Sequence, residues 1–92
     1  MGLYRIKGIY HSGRKGLRMS PVTEYKYDGL IGCQVNWDID YLRQFKCTRF
    51  WLENHSKYSW WDTSPVIQLT KKDSNIYVLE TINTIYELEI LE

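Results

Sequence analysis

A cluster of cations beside two glycines is the first feature of this sequence that could bind a ligand. Arg14, Lys15 and Arg18 lie next to Gly13 and Gly16. Cations beside exposed backbone N–H groups bind phosphate and nucleic-acid backbones. The stretch lacks the Walker spacing and the Lys-Ser/Thr ending of a P-loop. It therefore predicts either a site for a phosphate or an acidic partner, or a solvated, charged hairpin tip.

Two aromatic doublets, Phe50-Trp51 and Trp60-Trp61, are the second candidate. Neighbours on a strand point to opposite faces, so one ring of each doublet can enter the core. The other ring is covered by a loop, exposed, or used to stack a base or dock a partner. The cations interleaved with these rings are Lys46, Arg49 and Lys57. We predict that Arg14, Lys15, Arg18, Arg49, Trp51, Trp60 and Trp61 form the binding surface.

The residues that usually carry catalysis give no recognisable pattern. The only histidines are His11 and His55, and no motif pairs either of them with Cys33 or Cys47. Both cysteines follow the pattern of small, buried apolar residues. The carboxylates are spread over turns and the C-terminal strand. We expect a protein that is not an enzyme, with no catalytic residues and no cofactor.

The stretch 36–40 carries oxygen ligands at alternating positions, like the start of a calcium-binding loop. The loop would need glycine at its sixth position and glutamate at its twelfth. These positions hold Tyr41 and Cys47. We therefore predict a capped turn here and no metal site.

The 92 residues predict one domain, 1–92, whose small core is filled by large side chains. Four Trp, eight Tyr and two Phe suit that need. Two cysteines are too few for a disulfide framework. No apolar run is long enough to span a membrane, and the N-terminus has no signal-peptide pattern. We expect a cytoplasmic protein without a membrane partner.

Charge is distributed unevenly along the chain, although the net charge is only +1. Residues 1–30 contain six Lys or Arg and two Asp or Glu, whereas residues 61–92 contain two and six. If the terminal strands pair, Arg5 and Lys7 would lie near Glu87 and Glu89. In that case the uneven charge serves to form ion pairs between the two ends of the chain. If the strands do not pair, it marks a binding surface.

Alternating apolar and polar residues between turn signals predict an all-β fold. We expect a small single-domain barrel or strongly bent antiparallel sheet, SH3-like or OB-like, with about six strands. At most one short helix is expected, near residues 38–45, with Tyr41, Leu42 and Phe45 facing inward. The predicted strand stretches are Leu3–Tyr10, Leu17–Tyr27 interrupted at Pro21, Leu30–Trp37, Lys46–Glu53, Trp60–Thr70 interrupted at Pro65, Ile76–Thr81 and Thr84–Leu91.

Two local details accompany this prediction. Strict alternation along Leu3–Tyr10 places Tyr10 on the same face as Tyr4 and Ile6, opposite Ile9. The last two strands meet at a corner where Asn83 would adopt the left-handed conformation.

The C-terminal part resembles the ending of small phage and prophage β proteins of low-GC Gram-positive bacteria. The stretches that carry the resemblance are Trp61-Asp62-Thr63-Ser64-Pro65-Val66 and Thr81-Ile82-Asn83-Thr84-Ile85-Tyr86-Glu87-Leu88. They match a pattern W-x-T-S-x-V, a hairpin, then T-x-N-S/T-x-Y-x-L, over about a third of the chain. The resemblance implies a phage-type β protein in the host cytoplasm. Small phage proteins often inhibit host defence, by binding a CRISPR effector or by sequestering a signalling nucleotide.

Three functions follow as hypotheses. The first is a phage-type inhibitor that binds a host effector protein or a small phosphorylated ligand. The second is a small β-barrel that binds single-stranded nucleic acid through the same residues. The third is a structural or assembly component of a phage particle, which could be a homodimer formed by edge strands near Pro21 or Pro65.

Overall fold

The computed structural model describes residues 2–13 and 20–92, and its regular structure is β-sheet with two single 3₁₀ turns. The strands are β1 (Gly2–His11), β2 (Gln34–Trp37), β3 (Arg49–Glu53), β4 (Trp60–Asp62), β5 (Val66–Asp73), β6 (Ile76–Thr81) and β7 (Thr84–Ile90). The 3₁₀ turns are Tyr25–Tyr27 and Ile39–Tyr41. The predicted all-β class is confirmed, and within residues 38–45 the chain forms only the 3₁₀ turn Ile39–Tyr41. No helix in the described part of the chain has the length and apolar character needed to cross a membrane.

The strands form one antiparallel sheet in the order β4-β3-β2-β1-β7-β6-β5. The edge strands β4 and β5 are joined by only three residues, 63–65. A flat sheet of this order would separate its edges by about 29 Å, whereas this connection spans at most about 14 Å. The sheet must therefore bend back on itself. The predicted strongly bent antiparallel sheet is confirmed, and its strands do not close into a barrel.

The segment before β3 approaches both edges of the bent sheet. Phe45 N donates to Val66 O at 2.7 Å, and Val66 N donates to Lys46 O at 2.9 Å. Two residues further on, Thr63 N donates to Thr48 O at 2.9 Å. These bonds connect the start of β5 and the end of β4 to one continuous stretch of backbone.

The predicted single strand Trp60–Thr70 is wrong, because it is two strands at opposite edges of the sheet. The backbone pairing of β4 with β3 ends next to Thr63. There the N–H of Thr48 donates to the side-chain Oγ1 of Thr63, at 3.1 Å. Pro65, two residues later, has no N–H to donate to a ladder. Val66 then pairs with β6 instead of β3.

Three other predicted strands are shorter than expected. In the described part of Leu17–Tyr27, Pro21 makes one isolated bridge to Tyr10, and a 3₁₀ turn follows. The strand predicted from Leu30 begins at Gln34, because residues 28–33 form turns with Gly29 and Gly32 at φ 79° and 90°. The strand predicted from Lys46 begins at Arg49.

A register shift between Ile6 and Gly8 reverses the predicted alternation in the second half of β1. Ile9 is buried in the core, and Tyr10 is turned outward, where its hydroxyl donates to Glu87 Oε1 at 2.8 Å. An extra residue in one strand has this effect, since the side-chain period is two.

Pairing of the terminal strands is confirmed. β1 pairs with β7 from Tyr4–Ile90 to His11–Thr84, and Arg5 Nη1 lies 3.3 Å from Glu89 Oε1. Glu87 is contacted by Tyr10 and by Lys72. Part of the charge polarity is therefore used in ion pairs inside the fold.

The core lies on the concave side of the sheet and is built around aromatic rings. Trp37 and Phe50 pack edge to face with centroids 5.4 Å apart, and Phe50 and Tyr86 do so at 5.3 Å. Edge-to-face packing is the arrangement that ring quadrupoles favour. The aromatic excess of the sequence is thus largely structural.

Two of the three side chains predicted to face inward from residues 38–45 are exposed. Tyr41 is 75% exposed and Phe45 is 65% exposed, while Leu42 packs partly against the core. Phe45 has φ 66°, in the left-handed region, which the inward-facing helical turn of the prediction does not contain. Cys47, predicted to be buried, is exposed, whereas Cys33 is buried.

The corner between β6 and β7 is present, but not for the predicted reason. Asn83 does not have a positive φ. Instead the buried hydroxyl of Thr81 accepts a bond from Thr84 N at 3.0 Å and lies 2.8 Å from Thr84 O.

Candidate partner-binding surface

The outer face of β3 and β4 carries the most exposed aromatic pair in the sheet. Along β3, Phe50 is buried while Trp51 is 42% exposed, and along β4, Trp60 is 49% exposed while Trp61 is partly buried. The prediction that each doublet splits between the core and the outer face is confirmed. We call the four outward residues Arg49, Trp51, Trp60 and Asp62 the Trp51–Trp60 surface.

Antiparallel pairing brings these side chains together. Trp51 is directly opposite Trp60, and Arg49 is directly opposite Asp62. The two indole centroids are 6.2 Å apart with their planes at 60°. The guanidinium carbon of Arg49 lies 5.2 Å from the Trp51 centroid and 5.1 Å from the Trp60 centroid. Cation–π attraction thus holds both rings around one cation.

A carboxylate fixes the position of that cation. Arg49 Nε donates to Asp62 Oδ1 at 2.6 Å, and Nη2 donates to Oδ2 at 3.0 Å. The hydrogen bonds to Asp62 raise the pKa of Arg49 above its ordinary value. The planar guanidinium fork matches a carboxylate in two parallel bonds. The surface therefore presents two preorganised rings around an ion pair with no net charge.

Trp61 has a different environment from the other predicted site residues on this hairpin. Its ring packs against Tyr27 and Tyr58, with centroids 5.4 Å and 5.6 Å away. Its Nε1–H donates to Tyr86 Oη at 2.9 Å. These contacts give Trp61 a packing role beneath the surface.

Arg14, Lys15 and Arg18 lie outside the described residues, so their contribution to binding stays a prediction. The flanking residues are close together: His11 N donates to Ser20 O at 2.8 Å. His11 Nε2 also lies 2.9 Å from Glu24 Oε1. The residues that flank the basic stretch in sequence therefore lie together at the C-terminal end of β1.

The polar loop between β3 and β4 is organised by His55, a role that the sequence did not indicate. His55 Nδ1 accepts hydrogen bonds from Lys57 N at 3.0 Å and from Tyr58 N at 3.1 Å. Because Nδ1 accepts both bonds, Nε2 carries the proton and donates to Asp28 O at 2.9 Å. No recognised capping motif begins with histidine, so sequence patterns gave no signal for it.

Two open clefts border this hairpin. One, of about 450 Å³, is lined by Arg5, Gly29, Ile31, Gly32, Cys33, Gln34, Glu53 and Asn54. The other, of about 410 Å³, is lined by Lys57, Tyr58, Ser59 and Trp60. The first mixes acid, base and amide groups, whereas the second combines aromatic rings with a cation.

Among the residues that the structure describes, potential metal ligands are not clustered and one of the two cysteines is buried. Within residues 2–13 and 20–92, no three His, Cys, Asp or Glu side chains are grouped as metal ligands would be. Burial raises the pKa of the Cys33 thiol, which donates to the carbonyls of Gln34 and Glu53. A thiol with a raised pKa is a poor nucleophile at neutral pH.

Comparisons with protein families, with curated protein sequences and with solved structures gave no match to this chain.

Proposed function

We propose that this protein is a non-enzymatic binding protein that docks a partner protein on the Trp51–Trp60 surface. The observation that carries the proposal is the pair of half-exposed tryptophans held around Arg49. Trp and Arg are the residue types that dominate binding energy in protein interfaces. Their rings are already fixed by Arg49 and Asp62, so little side-chain freedom is lost on binding.

The charge of the surface favours a protein partner over a nucleic acid. Arg49 is neutralised by Asp62, and Glu53 lies on the same face of β3 as Trp51. Single-stranded nucleic acid needs cations that are free to replace counterions along the backbone. The nucleic-acid alternative therefore depends on Arg14, Lys15 and Arg18 rather than on Arg49.

The biological role that we propose is inhibition of a host defence effector, of CRISPR type, by a phage-encoded protein. The C-terminal resemblance to phage β proteins supports this role. An inhibitor of this kind acts by occupying a surface, so it needs preorganised contacts rather than reactive groups.

The test is phage plating on a Gram-positive host whose CRISPR system targets that phage. Expression of the chain should restore plaques. A Trp51→Ala/Trp60→Ala variant should restore at least tenfold fewer plaques than the unaltered chain. The matched control is Tyr41→Ala, which removes an exposed ring outside the surface and should retain full effect. The defence role is wrong if the chain never restores plaques. The surface is wrong if the double variant restores them fully.

Purified components separate the two remaining alternatives. A band shift with single-stranded DNA that weakens steeply with salt would favour the nucleic-acid reading. A concentration-dependent dimer in sedimentation would favour the assembly reading, with the outer edge of β5 as the contact. The protein-docking proposal predicts neither result for the isolated chain.

A further inference from the structure

We propose that the cleft lined by Lys57, Tyr58, Ser59 and Trp60 is a binding site for a planar aromatic anion of mononucleotide size. The site lies beside the Trp51–Trp60 surface and shares Trp60 with it. The inference is otherwise independent of the proposed docking role, because it uses neither Trp51 nor Arg49 directly.

The cleft offers the ligand an aromatic wall. Its volume of about 410 Å³ falls in the size range of small-molecule sites. Arg49 lies over one face of the Trp60 ring, and the same ring lines the cleft. A second ring, Tyr58, is fixed by stacking on His55 at 4.9 Å and by contact with Trp61. A planar ring can stack here at low entropic cost, because both walls are held in place.

Lys57 gives the cleft its preference for an anion. Its Nζ lies 4.1 Å from the Tyr25 ring centroid and donates to Tyr25 Oη at 2.9 Å. A lysine ammonium has three N–H donors, so this bond leaves two for a ligand. Among the described residues, no Asp or Glu lines the cleft to oppose a negative charge. A ring that carries a phosphate satisfies both the aromatic wall and the ammonium.

The backbone that presents these groups is preorganised by His55. Nδ1 of its imidazole accepts hydrogen bonds from the backbone N–H groups of Lys57 and Tyr58, and Nε2–H donates to the backbone carbonyl of Asp28. Tyr25, which holds the Lys57 ammonium, belongs to the 3₁₀ turn just before Asp28. The loop and the turn are thus fixed to each other before any ligand arrives.

The experiment is a titration of the isotope-labelled full chain, followed by the four tryptophan indole N–H resonances. AMP, UMP and phosphotyrosine supply a ring with a phosphate; adenosine supplies a ring alone, and inorganic phosphate an anion alone. We expect AMP or UMP to shift the Trp60 resonance, assigned with a Trp60→Leu variant, with at least tenfold tighter binding than adenosine or phosphate. Phosphotyrosine binding as tight as AMP would identify a phosphorylated protein side chain as the source.

Variants decide whether the cleft is responsible. Lys57→Gln should weaken AMP binding at least fivefold while leaving adenosine unchanged, and Lys57→Arg should restore part of the loss. Trp60→Leu should weaken both ligands. The inference is overturned if no ligand shifts the Trp60 resonance at a concentration of about 10 mM, tenfold above a millimolar Kd. It is also overturned if the Lys57→Gln variant binds AMP as tightly as the unaltered chain.

The same variants keep this site distinct from the docking surface. Trp51→Ala should abolish partner docking and leave AMP binding intact. Lys57→Gln should do the reverse. If the unaltered chain binds AMP but docks no partner, the docking proposal fails and this one stands; if it docks a partner but binds no AMP, this inference alone fails.

Discussion

Arg49 and Asp62 face each other across β3 and β4 and form two parallel hydrogen bonds, at 2.6 Å and 3.0 Å. This pair explains why the exposed tryptophans surround a cation without producing a basic surface. Removing the charge of Asp62 should therefore make the surface basic and able to bind a nucleic-acid backbone.

Asp62→Asn should release the charge of Arg49. We expect the variant to gain weak binding to oligo(dT) at low salt, with log affinity falling against log salt with a slope of about −0.7, as for one phosphate contact. Glu53→Gln is the matched control, since it changes the net charge equally on the same face of the β3–β4 hairpin. Equal effects of the two variants would mean that net charge matters and the Arg49–Asp62 pair does not.

Tyr86 should make stability sensitive to alkaline pH. Burial raises its pKa above the ordinary tyrosine value near 10, so the fold favours the neutral phenol. Its contribution is complete below pH 10 and is lost as pH rises through the folded pKa. Urea unfolding between pH 8 and 11 should therefore show stability that declines above about pH 10.

Tyr86→Phe should lessen that alkaline decline without abolishing it, because burial also raises the pKa of Tyr4 and Tyr27. At neutral pH the variant should lose about 1–2 kcal/mol, since Trp61 Nε1 loses its acceptor. Trp61→Phe keeps the phenol and should keep the decline. Identical profiles for Tyr86→Phe and the unaltered chain would contradict the prediction.

The two thiols should react at very different rates. Cys47 is exposed, whereas Cys33 is buried and its pKa is raised by that burial. Because the thiolate is the reactive form, a thiol reagent should titrate one equivalent rapidly and the second only after unfolding in urea. Cys47→Ser should remove the rapid phase, and rapid reaction of both thiols would show that Cys33 is more accessible than its burial indicates.

Two glycines in the turn before β2 should differ in their tolerance of alanine. Both have a positive φ, so each substitution should cost about 1–2 kcal/mol. At Gly29 an added Cβ would also lie 3.0 Å from His55 Nε2, whereas at Gly32 it would meet nothing within 4 Å. Gly29→Ala should therefore have the lower urea midpoint. Equal midpoints would mean that the His55 ring moves aside freely.

Phe45 should be a site where substitution stabilises the protein. Its left-handed φ of 66° is costly for a bulky residue, and its ring is 65% exposed. Asparagine adopts this conformation more readily, so Phe45→Asn should raise the free energy of unfolding by up to about 1 kcal/mol. Tyr41→Asn also removes an exposed ring, but Tyr41 has no positive φ, so it should give no gain. A destabilised Phe45→Asn would show that ring contacts outweigh the strain.

Local pattern was sufficient to predict the hairpin β6–β7, because alternation there continues without a bulge, although Thr81 rather than Asn83 holds the corner. It also predicted that the two rings of each doublet, Phe50-Trp51 and Trp60-Trp61, would point to opposite faces of the sheet. These features depend only on the period of a strand.

The remaining features depend on the bend of the sheet. Pro65 marks an interruption between Trp60 and Val66, but nothing local shows that the chain leaves β3 there and pairs with β6 instead. The bulge after Ile6 likewise reverses the facing of Ile9 without any glycine or proline pattern beyond Gly8. Phe45 was predicted to face inward from a short helix or turn, whereas its backbone N–H bonds to Val66 and its ring is exposed.

The position of β1 has a consequence for how the chain reaches this structure. β1 is the central strand, with β2 on one side and β7 on the other. During translation β2 to β4 can assemble on β1 as soon as they emerge, but the partner for its other side is synthesised after every other strand. We therefore expect one edge of β1 to stay unpaired until β7 has been synthesised. The pairing of Tyr4 with Ile90 is then a non-local contact, and we expect its formation to limit the folding rate.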